Sequence, residues 1–367
     1  MMVATLAGLL LLSGLGGQDP AAMQQEFPGP EGGPNRLMVI TSFERMDPPK
    51  TSPKHGWVFE WAVGALGRQD PALPFNARFR VFSQLRRQEN DVAPKIGRML
   101  LRMWDMNVRK LKTDHASMYN GGIIDFYLCF GGRPGGEQLF DEDEERGVRK
   151  KVNTVYIYGI QTFTKPPEQA REVAHEYGHA TLPPVGGFET PEDWGNGYLG
   201  EKLYLKWFHD EVAAGRLRPD DVMGTTAEEL ARYVKSEVDP FVARAATTEP
   251  AKSSIGGKGP AAMDAYVGLV LYAEAIFPPD RFARSLRLIG STFAGDYPKA
   301  MVAASEEIET YVLRLPPQVK GRQIWIPLGK GKISGTVGIV RRSGDWALID
   351  GEAESIVIRN PAQPPLR

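Results

Sequence analysis

Residues 166–182 read PPEQAREVAHEYGHATL, and this stretch organises the reading of the whole chain. Pro166 and Pro167 open a helix where a missing N–H costs nothing, and Pro183-Pro184 close it. Inside it, His175, Glu176 and His179 form a complete H-E-x-x-H. Residues four apart lie one turn up on the same helical face, so the two imidazoles can share one metal ion. The glutamate after the first histidine projects beside that ion, where its carboxylate can take a proton from water. Tyr177 and Gly178 carry no charge, and Val173 and Leu182 supply an apolar face. That is the pattern of a buried metal-binding helix, since a surface helix usually carries charges at the intervening positions.

The rest of the composition narrows the metal chemistry. The chain has 367 residues, 42% of them hydrophobic and 24% charged, the profile of an ordinary globular protein. Lys+Arg is 44 and Asp+Glu is 45, so no basic excess exists to drive binding to a phosphate backbone, and nucleic acid is excluded as a partner class. A single cysteine, Cys129, rules out an intrachain disulfide framework, an iron–sulfur cluster and any zinc site built from several thiolates. Any metal must therefore be held by the five histidines and by carboxylates.

Zinc needs a third protein ligand, with the fourth position left for water. A third histidine six residues after His179 is excluded, because Val185 stands there. The remaining candidates are Glu189, Glu192, Asp193, Glu201 and His209. Residues Gly197–Val212 read as a helix whose stripe Tyr198, Glu201, Tyr204, Leu205, Phe208 is apolar except for Glu201, while Lys202, Lys206, His209 and Asp210 form the wet face. A carboxylate on a core-facing stripe is costly unless a cation meets it. Glu201 is therefore the first choice and Asp193 the second.

Around the helix the chain reads as follows. Residues 1–17 (MMVATLAGLLLLSGLGG) form an apolar run too short to span a bilayer comfortably but suited to a signal peptide, which implies a secreted or periplasmic protein. No second long apolar segment occurs, so no membrane span is expected after signal removal. Residues 18–36, rich in Pro, Gly and Gln, read as a flexible lead-in. Leu37–Ser42, Arg78–Leu85, Ile123–Phe130 and Val152–Ile160 read as strands, and Pro94–Leu111 as a long amphipathic helix. The charges at Asp141–Glu145 and Arg149–Lys151 read as a solvated turn. Beyond Pro316-Pro317 the pattern changes to short alternating strands at Gln323–Pro327, Lys332–Arg341, Trp346–Asp350 and Glu354–Arg359. The expectation is an α+β protein: a catalytic domain over 37–316, with a mixed sheet, an active-site helix and a mostly helical second half. A small all-β module over 317–367, marginal alone, packs on it.

The H-E-x-x-H at His175–His179 followed by Glu201 on the next helix resembles the gluzincin metallopeptidases, such as thermolysin and the aminopeptidase N-like enzymes. The order strand, helix, strand, strand, active-site helix is similar to the zincin fold. The resemblance implies Zn²⁺ held by His175, His179 and Glu201, Glu176 as the base, and hydrolysis of peptide bonds. It implies an extended peptide or protein substrate paired along an edge strand, here Val152–Ile160. Ala262–Phe277 is similar to the segment whose tyrosine stabilises the tetrahedral intermediate, which points to Tyr266, with Tyr198 or His209 as substitutes. A core aromatic is the other reading of Tyr266. The Gly-x-Met-Glu-Asn strand of the aminopeptidases is missing, and the residues around Glu201 are not those of thermolysin. The alternative function is a catalytically inactive zincin-like envelope protein that binds peptides or proteins.

Overall fold

The computed structural model describes residues 24–27, 36–70, 75–86, 92–113, 123–145, 148–335 and 337–361. The signal-peptide reading of residues 1–17 lies outside these. The chain divides into two compact units, one of residues 1–109, 113–181 and 207–230, the other of residues 110–112, 182–206 and 231–367. The division does not fall at Pro316-Pro317.

The first unit is built on an eight-stranded mixed sheet. Its strands are β1 (Gln24–Phe27), β2 (Arg36–Ile40), β3 (Glu44–Thr51), β4 (Val58–Arg68), β5 (Ala77–Ser83), β6 (Ile123–Leu128), β7 (Gly135–Glu145) and β8 (Val148–Tyr158). They run in the order β1-β2-β4-β5-β6-β8-β7, with β3 also paired to β4. The pairs β5–β6 and β6–β8 are parallel and the remainder antiparallel. Helix α1 (Val92–Met106) provides the crossover between β5 and β6, and α2 (Pro166–Thr181) follows β8. α1 lies close on the sheet because Gly97 admits Ala65, whose Cβ is 3.3 Å from where a side chain at Gly97 would begin.

The opposite face carries an aromatic ladder in strand register: Phe82 on β5 opposite Tyr127 on β6, opposite Tyr156 on β8. The rings stack with centroids 5.0 and 4.9 Å apart, and Phe59 meets Tyr127 edge-on. Such pairs add to the burial they represent, and here they lock three neighbouring strands in register.

Several expectations are corrected. The lead-in contains β1, which pairs antiparallel with β2. β3 and β4 were not read as strands. The charged run is no turn: β7 and β8 form one long hairpin, with Glu142 opposite Lys151, Asp143 opposite Lys150 and Glu144 opposite Arg149. Glu142 and Lys151 place opposite charges across the antiparallel pair, which favours the ladder, so a run that looks turn-like in one dimension is strand in two.

In the second unit, helices α5 (Asp239–Thr247), α6 (Pro260–Ile276), α7 (Pro279–Arg287) and α8 (Tyr297–Glu306) precede strands β9 (Thr310–Arg314), β10 (Gln323–Pro327), β11 (Lys332–Ser334), β12 (Ile339–Ser343), β13 (Trp346–Asp350) and β14 (Ser355–Arg359). Two further helices, α3 (Asn196–Ala213) and α4 (Ala227–Tyr233), have residues in both units. The C-terminal strands form two three-stranded sheets, β10-β13-β12 and β11-β14-β9. The single strand expected over Lys332–Arg341 is split into β11 and β12, and β9 joins the module from before Pro316. These strands are tied to helices: Tyr272 Oη donates to the Trp325 carbonyl at 2.9 Å, and Asn360 Nδ2 to the Ser305 and Ile308 carbonyls at 2.6 Å. No helix among the described residues is long and apolar enough to cross a membrane.

The first unit buries a carboxylate against two guanidinium groups at Glu211. Glu211 is 4% exposed and accepts from Arg216 Nε at 2.6 Å and Arg109 Nη1 at 3.2 Å. Burial pushes its carboxyl up, but the two guanidinium groups outweigh that and hold it below the ordinary value of 4.5. A lowered folded value means the stabilisation is present above pH 4.5 and is lost as pH falls through the folded value. Urea unfolding midpoints measured from pH 7 downward should therefore decline more steeply below pH 4.5 in the wild type than in Glu211→Gln.

Candidate metal centre

Helix α2 is set on the sheet by its own buried side. Tyr177 is fully buried, its ring centroid 6.1 Å from that of Phe79 on β5, and Asn107 Nδ2 donates to its hydroxyl at 3.4 Å. Near the end of the helix, Asn153 of β8 donates to the Ala180 carbonyl at 3.4 Å. Both uncharged residues inside the motif, Tyr177 and Gly178, are buried, as the sequence requires.

With the helix so placed, His175, Glu176 and His179 come together, each with a potential ligand atom within 4.8 Å of the others. Among the described residues no other group of three His, Cys, Asp or Glu side chains does so. The two Nε2 atoms are 3.2 Å apart and the rings meet at 71°. Two ligands about 2.0–2.1 Å from one ion and 3.2 Å apart subtend roughly 100–105° at it, which suits tetrahedral zinc. The donor set thus fits a cation shared by both imidazoles.

Glu176 is 2% exposed. It sits against β7 at Gly136: a Cβ there would stand 2.6 Å from the Glu176 carboxyl carbon. Glycine at that point leaves room for the carboxylate, which any side chain there would displace. Gly136 and the strand that carries it were missed by the sequence reading, although the Gly135-Gly136 pair ahead of an alternating run was the available signal.

β8 is not the edge of the sheet. It lies between β6 and β7, and β7 has a strand partner on one side only among the described strands. The expectation that Val152–Ile160 is an edge strand is therefore corrected: β8 is paired on both sides, and the edge falls at β7. The hairpin doubles back after β6, so the strand next to α2 in sequence is not the outermost in space.

Among the carboxylate candidates for a third ligand, Glu189 and Asp193 are exposed and Glu192 is half-buried, whereas Glu201 is 6% exposed. Glu201 belongs to the second unit, where Tyr233 Oη donates to its Oε1 at 2.7 Å. Lys202, expected on the wet face of α3, is buried, its ammonium 5.0 Å from the Phe241 ring centroid and 3.9 Å from Glu237. His209 is half-buried, its Nδ1 3.2 Å from Asp210. Tyr266 is fully enclosed in the second unit, stacked near Phe188 and edge-on to Tyr297, with ring centroids 6.0 Å from each. Its hydroxyl has no hydrogen-bond partner among the described residues, and burial raises it well above the usual phenol range. Cys129 is buried, and desolvation, aided by the Glu137 carboxylate, pushes its thiol up to about 12, so it is no thiolate at neutral pH.

No protein-family profile matches the chain, and no curated protein matches it significantly.

Gly136→Ala should leave the fold and zinc binding intact, because the atom it meets is the end of a side chain that can swing away. It should displace Glu176 and depress any hydrolytic activity by about tenfold or more. Equal zinc stoichiometry with unchanged activity would show that the Gly136–Glu176 contact has no part in the chemistry.

Proposed function

We propose that the chain is a zincin-like, gluzincin-type metallopeptidase that hydrolyses peptide bonds. The observation that carries this reading is the pair of imidazoles with nitrogens 3.2 Å apart, flanked on the same helix by a buried carboxylate. In this reading His175, His179 and Glu201 would hold Zn²⁺. The burial of Glu201 on a helix stripe that is otherwise apolar supports its place as third ligand. Zinc held by these groups would supply Lewis-acid chemistry to a water and a carbonyl oxygen.

Glu176 does the proton work. Its carboxylate takes a proton from the attacking water and passes it to the leaving amine nitrogen. Its closeness to Gly136 ties that step to β7, along whose open side an extended peptide or protein pairs by backbone hydrogen bonds. Such pairing holds the scissile bond in a fixed register beside the base. The apolar run Met1–Gly17 supports export to a secreted or periplasmic location.

Two variants test the assignment together. His179→Ala should lower bound zinc, measured by elemental analysis, well below one equivalent. Glu176→Gln should retain zinc and lose cleavage of a broad peptide library. Full activity in Glu176→Gln sinks the mechanism, and zinc-loaded wild type that cuts no peptide supports the inactive binding protein instead. Tyr266→Phe divides that residue's two roles: a fall in kcat of about a hundredfold marks an oxyanion donor, and unchanged kcat marks packing.

A further inference from the structure

The turn between β3 and β4 reads Ser52-Pro53-Lys54-His55-Gly56-Trp57. It is closed on itself: Ser52 N donates to the Trp57 carbonyl at 2.8 Å, Gly56 N to the Ser52 carbonyl at 3.0 Å, and Trp57 N to Ser52 Oγ at 3.2 Å. Gly56 takes the left-handed φ of 67° that such closure needs. The tip is thus stiff, and its partners are far from its own strands.

Lys54 N donates to Tyr156 Oη at 3.3 Å. The His55 ring stacks on Trp57 at 4.3 Å and meets Tyr156 and Tyr158 edge-on. His55 Nε2 lies 2.6 Å from Tyr158 Oη. Tyr158 Oη and Lys54 Nζ both donate to one oxygen, Glu137 Oε1, and His55 Nε2 stands 3.8 Å from that same atom. Between β4 and β7 lie β5, β6 and β8, four inter-strand steps or about 19 Å. The tip of the turn nonetheless touches Tyr156 and Tyr158 of β8 and Glu137 of the last strand.

The grip falls where the strand needs it. β7 begins with Gly135-Gly136, the least ordered pair of residues a strand can start on, and it has a partner on one side only among the described strands. Glu137 is the first residue of β7 with a side chain. Successive strand residues point to opposite faces, so Glu137 is held from one face while Gly136 meets Glu176 on the other. No described strand pairs with the outer side of β7.

We propose that the Lys54–His55 turn is a strap that clamps Glu137 and so positions the first residues of β7 as the edge that receives an extended peptide beside Glu176. Glu137, Lys54 and Tyr158 are positioning residues. The peptide half of this inference rests on the function proposed above, whereas the strap itself does not.

Hydrogen–deuterium exchange of the full chain, wild type against Lys54→Met and Glu137→Ala, decides it. Amides of Gly135–Leu139 should exchange about tenfold faster or more in both variants, with α2, β5 and β6 unchanged, and Lys54→Arg should restore protection. Wild-type protection of that segment in both variants overturns the strap. With a cleaved peptide in hand, Lys54→Met should raise KM about fivefold or more and leave kcat within about twofold. A fall in kcat at constant KM overturns the positioning role. A wild type that cleaves nothing sinks the peptidase reading alone, because the exchange comparison needs no activity.

Discussion

The contact on which the rest of the first unit depends is the approach of α2 to β7 at Gly136. The helix is fixed from below, by Tyr177 on Phe79 and by Asn153 on the Ala180 carbonyl. With that height set, the Glu176 carboxyl fills the space a side chain at position 136 would need. One requirement follows from another. Glycine at 136 leaves the strand entrance loose, a loose entrance needs an anchor, and the anchor is the next residue, Glu137.

The sheet can hold such an edge because its interior is rigid. The Phe82–Tyr127–Tyr156 ladder joins β5, β6 and β8 on one face. On β5 and β6, Arg80 and Asp125 face each other in register with two hydrogen bonds of 2.6 Å, so the fully buried carboxylate of Asp125 is met by a bidentate guanidinium. The strap works against this platform, since its own aromatic contacts, Tyr156 and Tyr158, stand at the end of the ladder.

What the sequence made legible was local. Prolines bracket α2 within a residue of its observed end, the four-residue spacing places both histidines on one face, and β10 and β13 run over the very residues their alternation marks. Burial of Glu201 was readable as the one charge on an apolar stripe. What escaped was set by partners distant in sequence. β7 was hidden because its partner strand, β8, comes only after the chain turns back. β3, with Pro48 and Pro49, breaks the strand pattern yet pairs along the edge of β4. The Lys54–Glu137 and His55–Tyr158 contacts join residues 83 and 103 apart, and no periodicity in a window of ten or twenty residues contains them. The identity of the edge strand was lost for the same reason, since it depends on topology rather than composition.

The charge along β7 has a consequence for the molecule in company. From Gly135 to Glu142 the strand carries Glu137, Asp141 and Glu142 and no basic residue. An unpaired strand edge is a template on which a second copy of the same chain can crystallise into aggregates. Two such edges laid side by side would bring like charges together at short range, which disfavours that pairing. The same acids that hold β7 to β8 and to the strap therefore work against a match of this edge with its own twin.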